Sequence, residues 1–211
     1  MQESEFRSAV DKLRGLQTNL DENVRRMIAA KTKVFDRYQP IFQPSNLPSL
    51  SAADFQSFLL PKNNYHWSSI HRTGPRICSD MKRLRESLAF LLDESRPIEE
   101  RVTGLHRGGD HAVPGLGKAI FTPILHVVYP EKYGVWNTIS GTALARLNLL
   151  PATPRGASYG KQYADINSVL NRLAAEVPTD LWVLDGLLER VGGDGRAEAV
   201  TAGARSALIA E

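Results

Sequence analysis

The residues best suited to do chemistry lie in a tight turn at 113–119, Val-Pro-Gly-Leu-Gly-Lys-Ala. Gly115 and Gly117 are separated by one apolar residue and stand directly before an apolar helical pattern. The first backbone N–H groups of a helix have no partner within the helix, and the helix dipole adds positive charge there. The turn is therefore typical of a site that binds an anion such as a DNA phosphate, with Lys118 beside it. The alternative is a corner between two helices that binds no ligand.

A second candidate lies downstream at 135–138, Val-Trp-Asn-Thr, where Asn137 follows Gly117 by 20 residues. An amide at this point can hold a water molecule by hydrogen bonds. A carboxylate, Asp110, lies nearby in a Gly-Gly-Asp-His run just before the turn.

Aromatic and hydrogen-bonding side chains are concentrated between 63 and 72 without a helical apolar period. This segment is predicted to be a short strand or a structured loop. An enzyme that flips a base out of DNA stacks it on aromatic rings and reads its edge by hydrogen bonds. The residues predicted to recognise such a base are Asn63, Asn64, Tyr65, His66, Trp67, His71 and Trp136. The alternative is that Tyr65 and Trp67 are core aromatics surrounded by polar residues.

The charge distribution favours a polyanionic partner more than the total charge does. The net charge is only +3, which permits a nucleic-acid partner without demanding one. Between 61 and 91, however, six basic residues stand against two acidic ones, and from 176 onward seven acidic residues stand against three arginines. A solvated helix face is the alternative explanation for the basic window. The residues predicted to contact the DNA backbone are Arg72, Lys82, Gly115, Gly117 and Lys118.

Helical periodicity runs through nearly the whole chain and predicts an all-α fold. The prolines from Pro40 to Pro48 predict a loop after the second helix, and Ser140 is the expected cap of a later one. We expect one helical domain over 1–193, followed by a tail or an extra helix over 194–211. The apolar spacing predicts helices at 6–20, 24–38, 55–60, 81–91, 98–106, 119–128, 140–147, 163–173 and 181–191.

The composition excludes several classes of protein. A chain of 211 residues with 42% hydrophobic residues is long and apolar enough for one compact domain, which argues against disorder. Its single cysteine, Cys78, excludes an internal disulfide and a four-cysteine cluster, and it fits a reducing cytoplasm. The apolar run 119–130 is too short to span a membrane. His66 and His71 lack further ligands at metal-binding spacing, so no metal is expected. No cofactor and no membrane partner are expected either.

The turn at 113–117 and its spacing to Asn137 resemble the helix–hairpin–helix superfamily of DNA glycosylases. This superfamily includes endonuclease III and the alkyladenine and oxoguanine glycosylases. In these proteins a Leu-Pro-Gly-Val-Gly-type turn begins a helix, and a catalytic Asp follows about one helix and one loop later. Asn137 stands where the resemblance implies that Asp. A carboxylate stabilises the positive charge of glycosidic-bond hydrolysis better than an amide does, so we expect Asp110 to act as the catalytic carboxylate beside Asn137. Ala119 stands where bifunctional members carry a Schiff-base lysine, so the resemblance implies base excision without strong lyase activity.

Further segments resemble bacterial proteins associated with restriction of modified phage DNA, and modules fused to modified-cytosine restriction GTPases. These segments are 58–67, 91–95, 114–119 and 133–137. Within that group the chain is most similar to anti-phage glycosylases that remove α-glucosylated 5-hydroxymethylcytosine. The resemblance implies a monomeric, cytoplasmic enzyme that excises a modified cytosine from double-stranded phage DNA. Because Asn137 replaces an acid, a non-catalytic module that binds modified DNA is the alternative, and a helical protein-interaction domain is a third.

Overall fold

The computed structural model describes residues 2–67 and 70–193, and within these ranges the chain is helical and contains no strand. The predicted all-α fold is therefore confirmed. The expected tail or extra helix at 194–211 lies outside the described residues. The helices are α1 (Glu3–Thr18), α2 (Glu22–Phe42), α3 (Ala52–Leu59), α4 (Pro61–Asn64), α5 (Gly74–Ile77), α6 (Met81–Leu92), α7 (Ile98–Leu105), α8 (Lys118–Val128), α9 (Thr138–Arg146), α10 (Tyr159–Glu176) and α11 (181–193).

Helix α8 lies at the centre of the core because it is apolar on all sides. Every residue from 120 to 128 is buried. Helix α2 packs along it, and the Gln39 side chain of α2 donates a hydrogen bond to the Val127 carbonyl at 2.9 Å. Trp182 of α11 is fully buried, and its Nε1–H donates to the carbonyl of Met27 in α2 at 3.0 Å. The core thereby holds α8 and the turn that precedes it in one position.

Helices α7 and α10 pack closely against each other. A Cβ atom on Gly160 would lie 1.8 Å from the carbonyl oxygen of Glu99, so only glycine permits this approach. The Gly160 N–H also donates to the Thr103 hydroxyl at 3.1 Å. The crossing places Tyr159, the first residue of α10, beside the loop that follows α7.

The segment from Pro40 to Pro48 is predicted to be a loop, but most of it is helical. Helix α2 continues through Pro40 to Phe42, and Pro44–Ser49 is a 3₁₀ helix. A proline inside a helix removes one backbone hydrogen bond. Here the fully buried rings of Tyr38 and Phe42, on either side of Pro40, keep this end of α2 in the core. No helix in the described ranges has the length and apolar character needed to cross a bilayer.

Candidate functional site

Buried hydrogen bonds hold the loop that leads into α9. The Trp136 N–H donates to the Thr122 hydroxyl of α8 at 3.0 Å. Two residues before Trp136, the carbonyl of Gly134 accepts a hydrogen bond from the Tyr163 hydroxyl of α10 at 2.9 Å. Because α8 and α10 both contribute, the loop is fixed from two sides. Asn137 is thus presented from a rigid frame.

Asn137 itself caps helix α9, and the expected cap at Ser140 is wrong by three residues. The Asn137 Oδ1 atom accepts the N–H groups of Ile139 at 2.8 Å and Ser140 at 2.9 Å. The Ser140 hydroxyl accepts the Asn137 N–H at 2.9 Å, so the two residues form a capping box in which Ser140 is the third helical residue. The Asn137 Nδ2 group has no hydrogen-bond partner among the described residues, and it remains available to a ligand.

An open cleft of about 390 Å³ lies beside Asn137. We call it the Asn137 cleft, and its lining includes Lys118, Trp136, Asn137, Thr138, Gln162 and Asp165. Three residues predicted from the sequence therefore come together here. Asp165 of α10 is the carboxylate of this lining. Asp110 does not line the cleft; it is exposed, and its carbonyl accepts a hydrogen bond from the Arg83 guanidinium.

Lys118 and Trp136 form a cation–π contact in the Asn137 cleft. The Lys118 Nζ atom lies 3.8 Å from the centroid of the Trp136 ring. Burial of this amine lowers its pKa. Tyr159 and Tyr163 approach the same indole at 5.0 and 6.3 Å between ring centroids. Trp136 is only 6% exposed, so its ring is not open to a stacked base in this structure.

The turn before α8 has the conformation that its glycines predict. Gly115 has φ +97°, which only glycine adopts at low cost, and a Cβ atom there would lie 3.1 Å from Ile77. Gly117 has φ −90°, and no atom lies within 4 Å of the position of its Cβ. In the described part of the chain the N–H groups of Lys118 and Ala119 have no hydrogen-bond partner. These are the donors that an anion would use.

A second open cleft of about 630 Å³ runs along this turn. We call it the hairpin cleft; its lining includes residues 112–118 with Arg76, His106, Arg107 and Tyr159. Arg76 is the member of the basic window that reaches it. No acidic residue belongs to the described lining, so the cleft is positively charged. Such a surface favours a phosphate group.

A series of ring contacts connects the two clefts. His106 stacks on Tyr159 with 4.0 Å between ring centroids, and Tyr159 in turn contacts Trp136. Burial raises the pKa of Tyr159 to about 12, so its phenol is neutral at physiological pH. Lys118, beyond Trp136, lines both clefts. The 20-residue spacing from the turn to Asn137 therefore corresponds to two adjoining clefts.

The residues of these clefts that were not assigned from the sequence include Arg76, Arg107, Tyr159 and Asp165. Arg107 lies six residues before the turn, and its basic side chain was an available signal. The residues of α10 carried no such signal, because a packing contact between distant helices brings them to the site.

The residues predicted at 63–72 to recognise a base lie outside both clefts. Asn64 is fully buried, and its Oδ1 accepts the N–H groups of His66 and Trp67 at 2.9 and 2.8 Å. Its Nδ2 group donates to the Phe58 carbonyl at 2.9 Å. Asn63 likewise donates from its side chain to backbone at 2.9 Å. These amides hold a structured loop at 65–67, after α4. The expected loop is therefore found in only part of the segment, because Asn63 and Asn64 belong to α4 and His71–Thr73 is a 3₁₀ helix.

The aromatic part of the same segment packs in the core. The Trp67 Nε1–H donates to Asp185 Oδ2 of α11 at 3.1 Å, and His66 Nε2 lies 3.1 Å from the same oxygen. Burial lowers the pKa of His66 to about 4 and raises the pKa of Asp185 to about 7. Tyr65 is 40% exposed, and its hydroxyl accepts a hydrogen bond from Lys33. Trp67 is therefore a core aromatic, as the alternative interpretation predicts, whereas Tyr65 is not.

The other predicted contacts are dispersed on the surface. His71, Arg72 and Lys82 are exposed and line neither cleft. Within the described ranges, no three His, Cys, Asp or Glu side chains come together in a group that could hold a metal ion.

No family model matches the chain, and no curated protein or solved structure matches it.

Proposed function

We propose that the protein is a monomeric DNA glycosylase that excises a modified cytosine, of the glucosylated hydroxymethyl type, from double-stranded phage DNA in the cytoplasm. One observation carries this proposal: Lys118 lines both the hairpin cleft and the Asn137 cleft. A phosphate at the first would stand next to a nucleoside at the second. An enzyme that cuts the bond between a base and its sugar needs this combination of backbone grip and adjoining pocket.

In this proposal the hairpin cleft binds the phosphate backbone of the DNA. Its free N–H groups at Lys118 and Ala119, together with the start of α8, attract an oxyanion. Arg76 and Arg107 add two cations without an acidic residue in the described lining. Binding through these groups does not depend on base sequence, because they face the phosphates.

The Asn137 cleft supplies the pocket for the flipped nucleoside. Its volume lies within the range of small-molecule sites. The Asn137 Nδ2 group can donate a hydrogen bond to a water molecule or to the sugar. Gln162, Thr138 and Asp165 add donors and acceptors suited to a base that bears hydroxyl groups. The products are a free base and an abasic site.

The test is to incubate the purified protein with two duplexes of one sequence, one carrying glucosylated 5-hydroxymethylcytosine and one carrying cytosine. Abasic sites are then counted by cleavage with mild alkali. We expect sites in the modified duplex alone. If neither duplex gains abasic sites, the protein is not a glycosylase for this base.

A non-catalytic module that senses modified DNA is the second candidate, and the cap of α9 favours it. Asn137 Oδ1 is committed to two backbone N–H groups, so it is not free to accept a proton. This candidate predicts tight binding to the modified duplex without base release. It also predicts that Asn137→Ala leaves the affinity unchanged.

A further inference from the structure

Asn137 leaves one requirement of glycosidic-bond hydrolysis unmet. Breaking the bond places positive charge on the sugar, and the attacking water must lose a proton. A neutral amide stabilises that charge poorly. The Oδ1 atom of Asn137 is also occupied by Ile139 and Ser140, which leaves only a hydrogen-bond donor facing the cleft. A carboxylate from another element has to supply the charge.

Asp165 is the carboxylate in the position to do so. It lies on α10 and belongs to the lining of the Asn137 cleft together with Asn137, Lys118 and Trp136. Its side chain is 33% exposed, so a ligand in the cleft can reach it. One oxygen, Oδ1, pairs with Lys161 one helical turn away, and that lysine orients the carboxylate without lining the cleft.

We infer that Asp165 is the catalytic carboxylate of this site; the inference rests on the proposed glycosylase function. The C1′–N1 bond breaks, and its electron pair leaves with the base, which takes up a proton from solvent. Asp165 stabilises the positive charge shared by C1′ and O4′. Water held by Asn137 Nδ2 forms the new C1′–O bond, and Asp165 accepts the proton that this water releases.

The first test measures charge recognition and does not depend on excision. Two duplexes are compared, one with a cationic pyrrolidine in place of the abasic sugar and one with a neutral tetrahydrofuran. We expect the protein to bind the pyrrolidine duplex about tenfold more tightly, since a partly exposed carboxylate contacts the cation. In Asp165→Asn this preference disappears. A preference that persists in Asp165→Asn, or its absence from the wild type, overturns the assignment.

The second test measures excision from the modified duplex. Asp165→Asn is expected to slow the formation of abasic sites by about 100-fold while the duplex is still bound. Asp110→Asn is the matched control and is expected to keep the wild-type rate. A slow Asp110→Asn with a normal Asp165→Asn would transfer the role to Asp110.

The two tests also separate this inference from the proposed function. If the wild type releases no base yet prefers the pyrrolidine duplex through Asp165, the contact between Asp165 and the sugar position stands, and the glycosylase function fails. If the wild type releases base and Asp165→Asn does so equally fast, the reverse holds. Thermal unfolding of Asp165→Asn shows whether the variant is folded, and Lys161→Met controls for the loss of the ion pair on α10.

Discussion

Lys118 Nζ lies 3.8 Å above the Trp136 ring, and this contact joins the hairpin cleft to the Asn137 cleft. A lysine between the two clefts can contact the phosphate next to the extruded nucleotide. Lys82, on α6, is exposed and lines neither cleft. The two lysines therefore form a matched pair for testing where the DNA backbone binds.

The first prediction concerns the salt dependence of DNA binding. Lys118→Met should weaken binding and lower the slope of log Kd against log salt by about one, because one phosphate contact is lost. Lys82→Met should leave the slope unchanged. Fluorescence anisotropy at four salt concentrations measures both. Equal losses in the two variants would show that the basic face of α6 also contacts phosphates.

The second prediction separates the two glycines of the turn. The free energy of unfolding of Gly117→Ala should lie within about 0.5 kcal/mol of the wild-type value, because the backbone at Gly117 is extended and its Cβ position is open. The added methyl group would stand in the hairpin cleft and should weaken DNA binding about tenfold. Gly115→Ala should lose about 1–2 kcal/mol of stability, since φ is +97° and Ile77 lies close. Urea unfolding and anisotropy together check the pair. A Gly117→Ala variant that binds DNA normally would place the phosphate elsewhere.

The fold was more predictable than the site, and α8 and α10 show why. An apolar helix after a Pro-Gly-x-Gly turn is a local pattern, so the sequence predicts α8 and the direction of its first N–H groups. Tyr159 and Asp165 lie at the clefts because α7 and α10 cross at Gly160. No local sequence pattern predicts that crossing. Tertiary packing decides such contacts.

The segment at 63–72 illustrates a second limit. Aromatic rings mixed with amides and histidines occur both in base-binding pockets and in polar parts of a core. Only burial distinguishes them: Asn64 is fully buried and its amide is used by the backbone, whereas Tyr65 is exposed. Composition alone therefore left both interpretations open.

The third prediction uses the cap of α9. Asn137→Ala should lose about 1 kcal/mol of stability, because two N–H groups lose their acceptor. Asn137→Asp should keep the cap and place a negative charge at the helix N-terminus, so its stability should match or exceed that of the wild type. Asn137→Asp should nevertheless excise the modified base more slowly, because the Nδ2 donor that holds the attacking water is lost. Excision at the wild-type rate in a stable Asn137→Asp would show that this donor is not needed.

The fourth prediction concerns the pH dependence of stability. His66 and His126 are buried, and burial lowers the pKa of each to about 4. Between pH 6.5 and 4 the unfolded chain therefore binds two protons that the folded chain does not, and acidification destabilises the fold. Asp185 acts in the opposite direction: burial raises its pKa to about 7, so the folded chain holds a proton that the unfolded chain releases. This group contributes stability that is present at low pH and is lost as the pH rises towards 7.

Asp185→Asn removes only that opposing contribution. The asparagine amide can still accept the Trp67 Nε1–H, so the packing around α11 is kept. Between pH 4.5 and 6.5 the free energy of unfolding of the variant should rise more steeply with pH than that of the wild type, by about one proton or 1.4 kcal/mol per pH unit. Asp110→Asn, at an exposed position, should run parallel to the wild type. Urea unfolding at five pH values gives the two slopes, and their difference cancels every group that the variants share. Parallel curves for Asp185→Asn and the wild type would mean that Asp185 is ionised in the folded protein over this pH range.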